Sequence, residues 1–123
     1  MGTKVLLVED EKLLRESYQI ILEAESFDVD TAVNGLKALE LCHANTYDLI
    51  LLDIMMPELD GIGFLKKFIA KYKTLPTTII LSNLGHGDEI NQALQLGAKK
   101  YIQKSQLDPS GLVALLHEEV AAA

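Results

Sequence analysis

The chain has 123 residues, 49% hydrophobic and 24% charged, which suits one soluble globular domain long enough to bury a core and argues against disorder. Its 18 acids against 11 Lys and Arg give a net charge of -7, a field that disfavours nucleic acid and anionic membrane as partners. A single cysteine, Cys42, excludes an internal disulfide; with no apolar run near the roughly 20 residues of a membrane span and no signal-peptide pattern, the sequence reads as cytoplasmic.

Val5 to Val8 is an uninterrupted apolar run that ends in Glu9, Asp10 and Glu11, so a first strand delivers carboxylates to its end. From Lys12, the apolar residues Leu14, Tyr18, Ile21 and Leu22 fall at helical spacing, and the helix stops near Glu25-Ser26. Phe27, Val29, Thr31 and Val33 alternate with Asp28 and Asp30, which predicts an edge strand with one wet face. Asn34-Gly35 makes a turn and a helix start. Leu36, Ala38, Leu39, Leu41 and Cys42 then build the second helix.

The stretch Tyr47 to Gly61 is the centre of the pattern. Leu49 to Leu52 lacks period-2 alternation, as expected of a strand covered on both faces, and it ends at Asp53 before Pro57 and Asp60-Gly61 break regular structure. Phe64, Leu65, Phe68 and Ile69 define a third helix, and Pro76 sets off a fourth strand, Thr77 to Leu81, with Ser82-Asn83 at its end. Leu84-Gly85-His86-Gly87 predicts a mobile loop, and Asp88 is expected to cap a helix through Leu96 closed by Gly97. Lys99 to Gln103 gives a short fifth strand with Lys104 just beyond it, and Asp108-Pro109 opens the last helix.

Strands alternating with helices imply right-handed crossovers and a parallel sheet. The fold class is therefore α/β, a doubly wound five-stranded parallel sheet of order 2-1-3-4-5 with five helices, with residues 1–123 expected to form one domain. In such a sheet ligands bind beyond the carboxyl ends of the strands. Glu9, Asp10, Asp53, Ser82 and Lys104 all stand at those ends. Three carboxylates repel one another unless a cation sits among them, and an oxygen-only donor set suits Mg²⁺ rather than zinc. His43, His86 and His117 have no ligand spacing and read as surface residues.

The pattern Glu9-Asp10, Asp53, Pro57, Gly61, Ser82, Tyr101 and Lys104 resembles the receiver domains of two-component response regulators, the CheY-like family with a flavodoxin-like three-layer sandwich, over nearly the whole chain. The resemblance implies that Asp53 accepts a phosphoryl group from a phosphohistidine on a sensor histidine kinase or phosphotransfer protein. It also implies that Glu9, Asp10, Asp53 and the backbone carbonyl of Met55 hold Mg²⁺. Ser82 corresponds to the switch hydroxyl, Lys104 to the phosphate-pairing lysine and Tyr101 to the switch aromatic, whose rotation alters the face made by the fourth helix, fifth strand and fifth helix. On this reading the chain is a signalling switch and not an enzyme, although it assists its own phosphorylation and dephosphorylation. The output partner or effector domain is unnamed, and the chain is either stand-alone or excised from a longer regulator.

Several positions depart from the family pattern. The acid pair is Glu-Asp rather than Asp-Asp, so Glu9 reaches one methylene further and is expected to touch the metal through water. Ser105 replaces the usual proline; either a strained cis bond precedes it or the loop differs. Asn83 replaces a small residue beside Ser82. Ser26 replaces a helix-ending glycine, at a local cost of about 1 kcal/mol if the left-handed conformation is kept. Met55 and Leu84 offer nothing to orient an attacking water, which predicts slow self-dephosphorylation. Two other readings stay open: a degenerate receiver that binds a partner without phosphorylation, and an α/β enzyme or flavin module on the same fold.

Overall fold

The computed structural model describes residues 2–83 and 87–122. Among them five strands alternate with five helices: β1 (Lys4–Val8), α1 (Lys12–Ala24), β2 (Asp28–Ala32), α2 (Gly35–Ala44), β3 (Leu49–Asp53), α3 (Gly61–Tyr72), β4 (Thr77–Ser82), α4 (Gly87–Gln95), β5 (Lys100–Gln103) and α5 (Pro109–Ala122). Every strand pairing is parallel, and the order is β2-β1-β3-β4-β5, as the alternation of strand and helix predicts.

Side chains on a strand point alternately to opposite faces, so each apolar run feeds two cores. Leu6, Val8, Ile50, Leu52 and Ile80 pack with Ala38 of α2, Phe64 and Leu65 of α3 and Ala93 of α4. Val5, Leu7, Leu49, Leu51, Ile79 and Leu81 pack on the other face with Tyr18 and Leu22 of α1 and Leu112 and Leu116 of α5. All five residues of β3 are buried, which is why its sequence shows no alternation. Each fully buried Leu or Ile contributes about 1.5 to 3 kcal/mol. The sheet can therefore afford to end its central strand on a carboxylate.

Local signals fix the helix ends. Asn34 Oδ1 accepts from the Lys37 N–H at 2.8 Å, Asp60 Oδ1 from Gly63 N–H at 2.8 Å and Asp108 Oδ1 from Gly111 N–H at 2.7 Å, and each such cap is worth about 1 kcal/mol. Ser26 keeps the left-handed conformation at φ +70°, so α1 ends as a glycine would end it, at the expected cost. Gly97 also has positive φ, +121°, after α4.

Three expectations need correction. α4 begins at Gly87, so Asp88 lies in its first turn, where its charge favours the helix N-terminus, rather than capping it. Val33 does not continue the buried face of β2: the strand ends at Ala32, Asn34 caps α2, and Val33 between them is 45% exposed. Asp28 and Asp30 make the wet face of edge strand β2, as expected. Lys99 precedes β5 rather than opening it. The expected loop at Leu84-Gly85-His86 lies outside the described residues. No cis peptide occurs among the described residues, so the loop after Lys104 is the alternative that holds: a 3-10 turn, Lys104–Gln106, leads to α5.

Candidate functional site

The site forms where β1, β3, β4 and β5 end. Parallel register sets Val8 beside Leu52 and Asp53 beside Leu81, so the residues after β1 and the last residue of β3 emerge at one edge. Glu9 and Asp53 are buried, at 1% and 5% exposure, while Asp10 is open to solvent. One carboxylate oxygen from each of the three lies within 4.8 Å of the others. Lys104, beyond the end of β5, reaches back across the sheet edge. Its Nζ lies 2.6 Å from Glu9 Oε1 and donates to Asp53 Oδ2 at 3.0 Å, with its side chain 7% exposed.

The charges are unequal. One ammonium faces three carboxylates, and burial adds to the imbalance by disfavouring the ionised forms. Burial pushes Glu9 up to about 7 despite the opposing hydrogen bonds from Lys104 and the Glu11 N–H, and the charge of Asp53 adds to the rise. Asp53 is also raised, first by burial and further by Asp10, against the opposing pull of Lys104 and the Met55 N–H. Lys104 is held above the ordinary lysine value: desolvation alone would lower it, but pairing with Glu9 and Asp53 outweighs that. The pocket is a preformed, under-neutralised oxygen cluster.

Oxygen donors with a charge deficit fit a hard divalent cation, and neither sulfur nor imidazole belongs to the cluster. Glu9, Asp10 and Asp53 are the residues that could hold one, as the sequence predicts, with Met55 following Asp53 by two residues. Met55 is 51% exposed at the rim of the site. Ser82, at the end of β4, is 1% exposed and donates to the Asn83 carbonyl at 3.2 Å. It is aligned with Gln103, not hydrogen-bonded to Asp53. Tyr101 is half-buried against the core, in register with Ile80. Of the histidines, His43 is exposed and meets Tyr72 Oη at 2.7 Å and Lys71 Nζ at 2.9 Å, and His117 is exposed beside Glu25, while His86 lies outside the described residues.

Two supports escaped sequence reasoning. Arg15, one turn into α1, donates through Nη1 to the backbone carbonyls of Glu9 at 3.0 Å and Asp10 at 3.2 Å. An arginine one turn after an acid pair is a readable signal, since a helix starting there turns that side chain back over the loop. The second is the direct Lys104–Glu9 contact, which depends on side-chain length and rotamer.

Comparison with known proteins agrees with this geometry. The family model described as "Response regulator receiver domain" matches residues 5–117. Response regulator ArlR of Staphylococcus saprophyticus is 40% identical over 102 residues, covering 83% of this chain and 46% of that protein. Transcriptional regulatory protein SrrA of Staphylococcus aureus is 38% identical over 106 residues, covering 85% and 42%. The chain thus matches less than half the length of these relatives. A CheY-like receiver domain from Methanospirillum hungatei JF-1 superposes with a TM-score of 0.90 over 99% of this chain and 96% of that one, at 24% identity, which speaks to the fold. Acids gathered at the strand ends of a 2-1-3-4-5 parallel sheet, together with these matches, identify the chain as a member of the response regulator receiver domain family of two-component signalling.

Proposed function

We propose that the domain is a phosphorylatable switch in which Asp53 takes a phosphoryl group from a phosphohistidine of a cytoplasmic sensor kinase or phosphotransfer protein. The observation that carries this reading is the convergence on Asp53: a buried carboxylate with Lys104 Nζ at 3.0 Å and the oxygens of Glu9 and Asp10 within 4.8 Å.

In phosphoryl transfer most of the catalysis is positioning and charge neutralisation. An oxygen of Asp53 forms the new O–P bond as the N–P bond of phosphohistidine breaks and the imidazole leaves with the electron pair. Glu9, Asp10, Asp53 and the Met55 carbonyl would hold Mg²⁺, which supplies positive charge against the transferring oxygens. Lys104 would supply a second positive charge. Its bond to Asp53 Oδ2 at 3.0 Å supports that role.

The phosphate then offers oxygens to Ser82, and a hydrogen bond to a charged group is worth about 1.5 to 3 kcal/mol. For that bond Ser82 gives up the Asn83 carbonyl that it now engages. The end of β4 moves toward the phosphate, Tyr101 turns inward, and the α4-β5-α5 face changes for its reader. The test is incubation with a small phosphodonor, followed by intact mass. A single phosphoryl adduct is expected with Mg²⁺, lost with chelator and absent in Asp53→Asn. An unmodified wild type would overturn the switch and favour a receiver that binds its partner without phosphorylation.

A further inference from the structure

The Ile54–Asp60 loop that follows Asp53 is tied down at two backbone points. At its base the Gly61 N–H donates to the Ile54 carbonyl at 2.8 Å. At its far end the Gly35 N–H, the first residue of α2, donates to the Leu59 carbonyl at 2.8 Å. Between these points the chain takes a left-handed step at Glu58, φ +66°, and carries Met55, which follows Ile54 and stands two residues after Asp53.

Gly35 is buried, and the space beside it is filled by this loop. A Cβ added there would lie 2.5 Å from the Leu59 oxygen, 3.0 Å from Leu59 Cγ and 3.1 Å from the Asp60 oxygen. Two of those three atoms are backbone, so a methyl group would push the loop itself. Gly63 presses on the same residue differently: its added Cβ would meet Leu59 Cδ1 at 2.4 Å and Cγ at 3.1 Å, and Asp60 Oδ1 at 3.3 Å, all side-chain atoms and none of them loop backbone. The two glycines therefore separate movement of the loop backbone from repacking of side chains.

We infer that Gly35 is a positioning residue for the acceptor site: through its N–H and its missing side chain, the start of α2 holds the Leu59 carbonyl and thereby the loop that carries Met55, two residues after Asp53. This places the support of the site on α2, whose own residues include none of the acids, Ser82 or Lys104. It rests on the proposed Mg²⁺ site at Asp53. Groups that orient a metal's ligands typically change its affinity by about 10- to 100-fold when lost. Coupling is reciprocal, so a cation that prefers the held loop must also tighten the bond that holds it.

The experiment measures Mg²⁺ affinity by calorimetry for wild type, Gly35→Ala and Gly63→Ala, and amide exchange of Gly35 in wild type with and without Mg²⁺. Expected are a loss of about tenfold or more in Mg²⁺ affinity for Gly35→Ala, a change within about twofold for Gly63→Ala, and slower Gly35 exchange when Mg²⁺ is bound. Wild-type affinity in Gly35→Ala, or Gly35 exchange indifferent to Mg²⁺, overturns the inference while leaving the acceptor site intact. If Gly35→Ala does not fold, the wild-type exchange measurement decides alone. A wild type that binds no Mg²⁺ overturns the inference together with the site it rests on.

Discussion

Replacing Lys104 by Met keeps most of the buried stem and removes the charge. Two contacts disappear: Nζ to Glu9 Oε1 at 2.6 Å and Nζ to Asp53 Oδ2 at 3.0 Å, between side chains that are each 7% exposed or less. Hydrogen bonds to charged groups are worth about 1.5 to 3 kcal/mol each, so the gross loss is about 3 to 6 kcal/mol. The ammonium no longer has to be desolvated, which offsets part of this, and one-sided loss of a buried pair typically costs about 3 to 5 kcal/mol. Asp10 opens the pocket rim to water, so the lower end applies. Metal-free Lys104→Met should lose about 3 kcal/mol. The assay is urea unfolding followed by far-UV circular dichroism, since the chain contains no Trp. Mg²⁺ should stabilise the variant more than the wild type, because a cation then replaces the missing charge. A metal-free variant as stable as wild type, or one that gains no more from Mg²⁺, would refute the claim that Lys104 neutralises this pocket.

Three further outcomes follow from other parts of the molecule. Ser26→Gly relieves the left-handed residue after α1 and should raise stability by about 0.5 to 1 kcal/mol, read as a higher Tm; an unchanged or lower Tm contradicts the assigned strain. Glu119, 3% exposed, is held below the ordinary carboxylate value by Lys99 at 2.6 Å and Lys100 at 2.9 Å. A lowered carboxylate contributes stability above its unfolded value of 4.5, and the contribution is lost as pH falls through the depressed folded value. Glu119→Gln should therefore be less stable than wild type at neutral pH, with the gap closing in acid; a gap independent of pH would exclude the ion pair as its cause. Finally, Met55 beside Asp53 has no group to orient water, so the phosphorylated domain should lose its phosphate over minutes or longer, and a half-life of seconds in a phosphate-release assay would contradict this.

The strand plan was legible because burial writes itself into composition. Leu49 to Leu52 could be apolar at every position only if both faces of β3 were covered, and that single inference fixes a three-layer sandwich and sends Asp53 to its edge. Topology then gathered Glu9, Asp10 and Lys104 without any knowledge of side chains. What sequence reasoning missed depends on shorter-range geometry. Val33 obeys the alternation of β2 on paper, but Asn34 takes the chain into α2 one residue too soon for it to be buried. Asp88 looks like a cap, yet α4 has already begun at Gly87. The Gly35–Leu59 bond joins residues with no pattern between them, and only the packed loop reveals why glycine stands there.

The central claim is that Asp53 itself takes the phosphoryl group, and borohydride trapping tests it most directly. Wild-type protein treated with phosphodonor and Mg²⁺ is reduced with borohydride, which converts an aspartyl phosphate to homoserine, and the digest is sequenced by mass spectrometry. Homoserine should be found at position 53 alone and should disappear when Mg²⁺ is chelated. Homoserine at another acid of the cluster, or at none, would contradict the account.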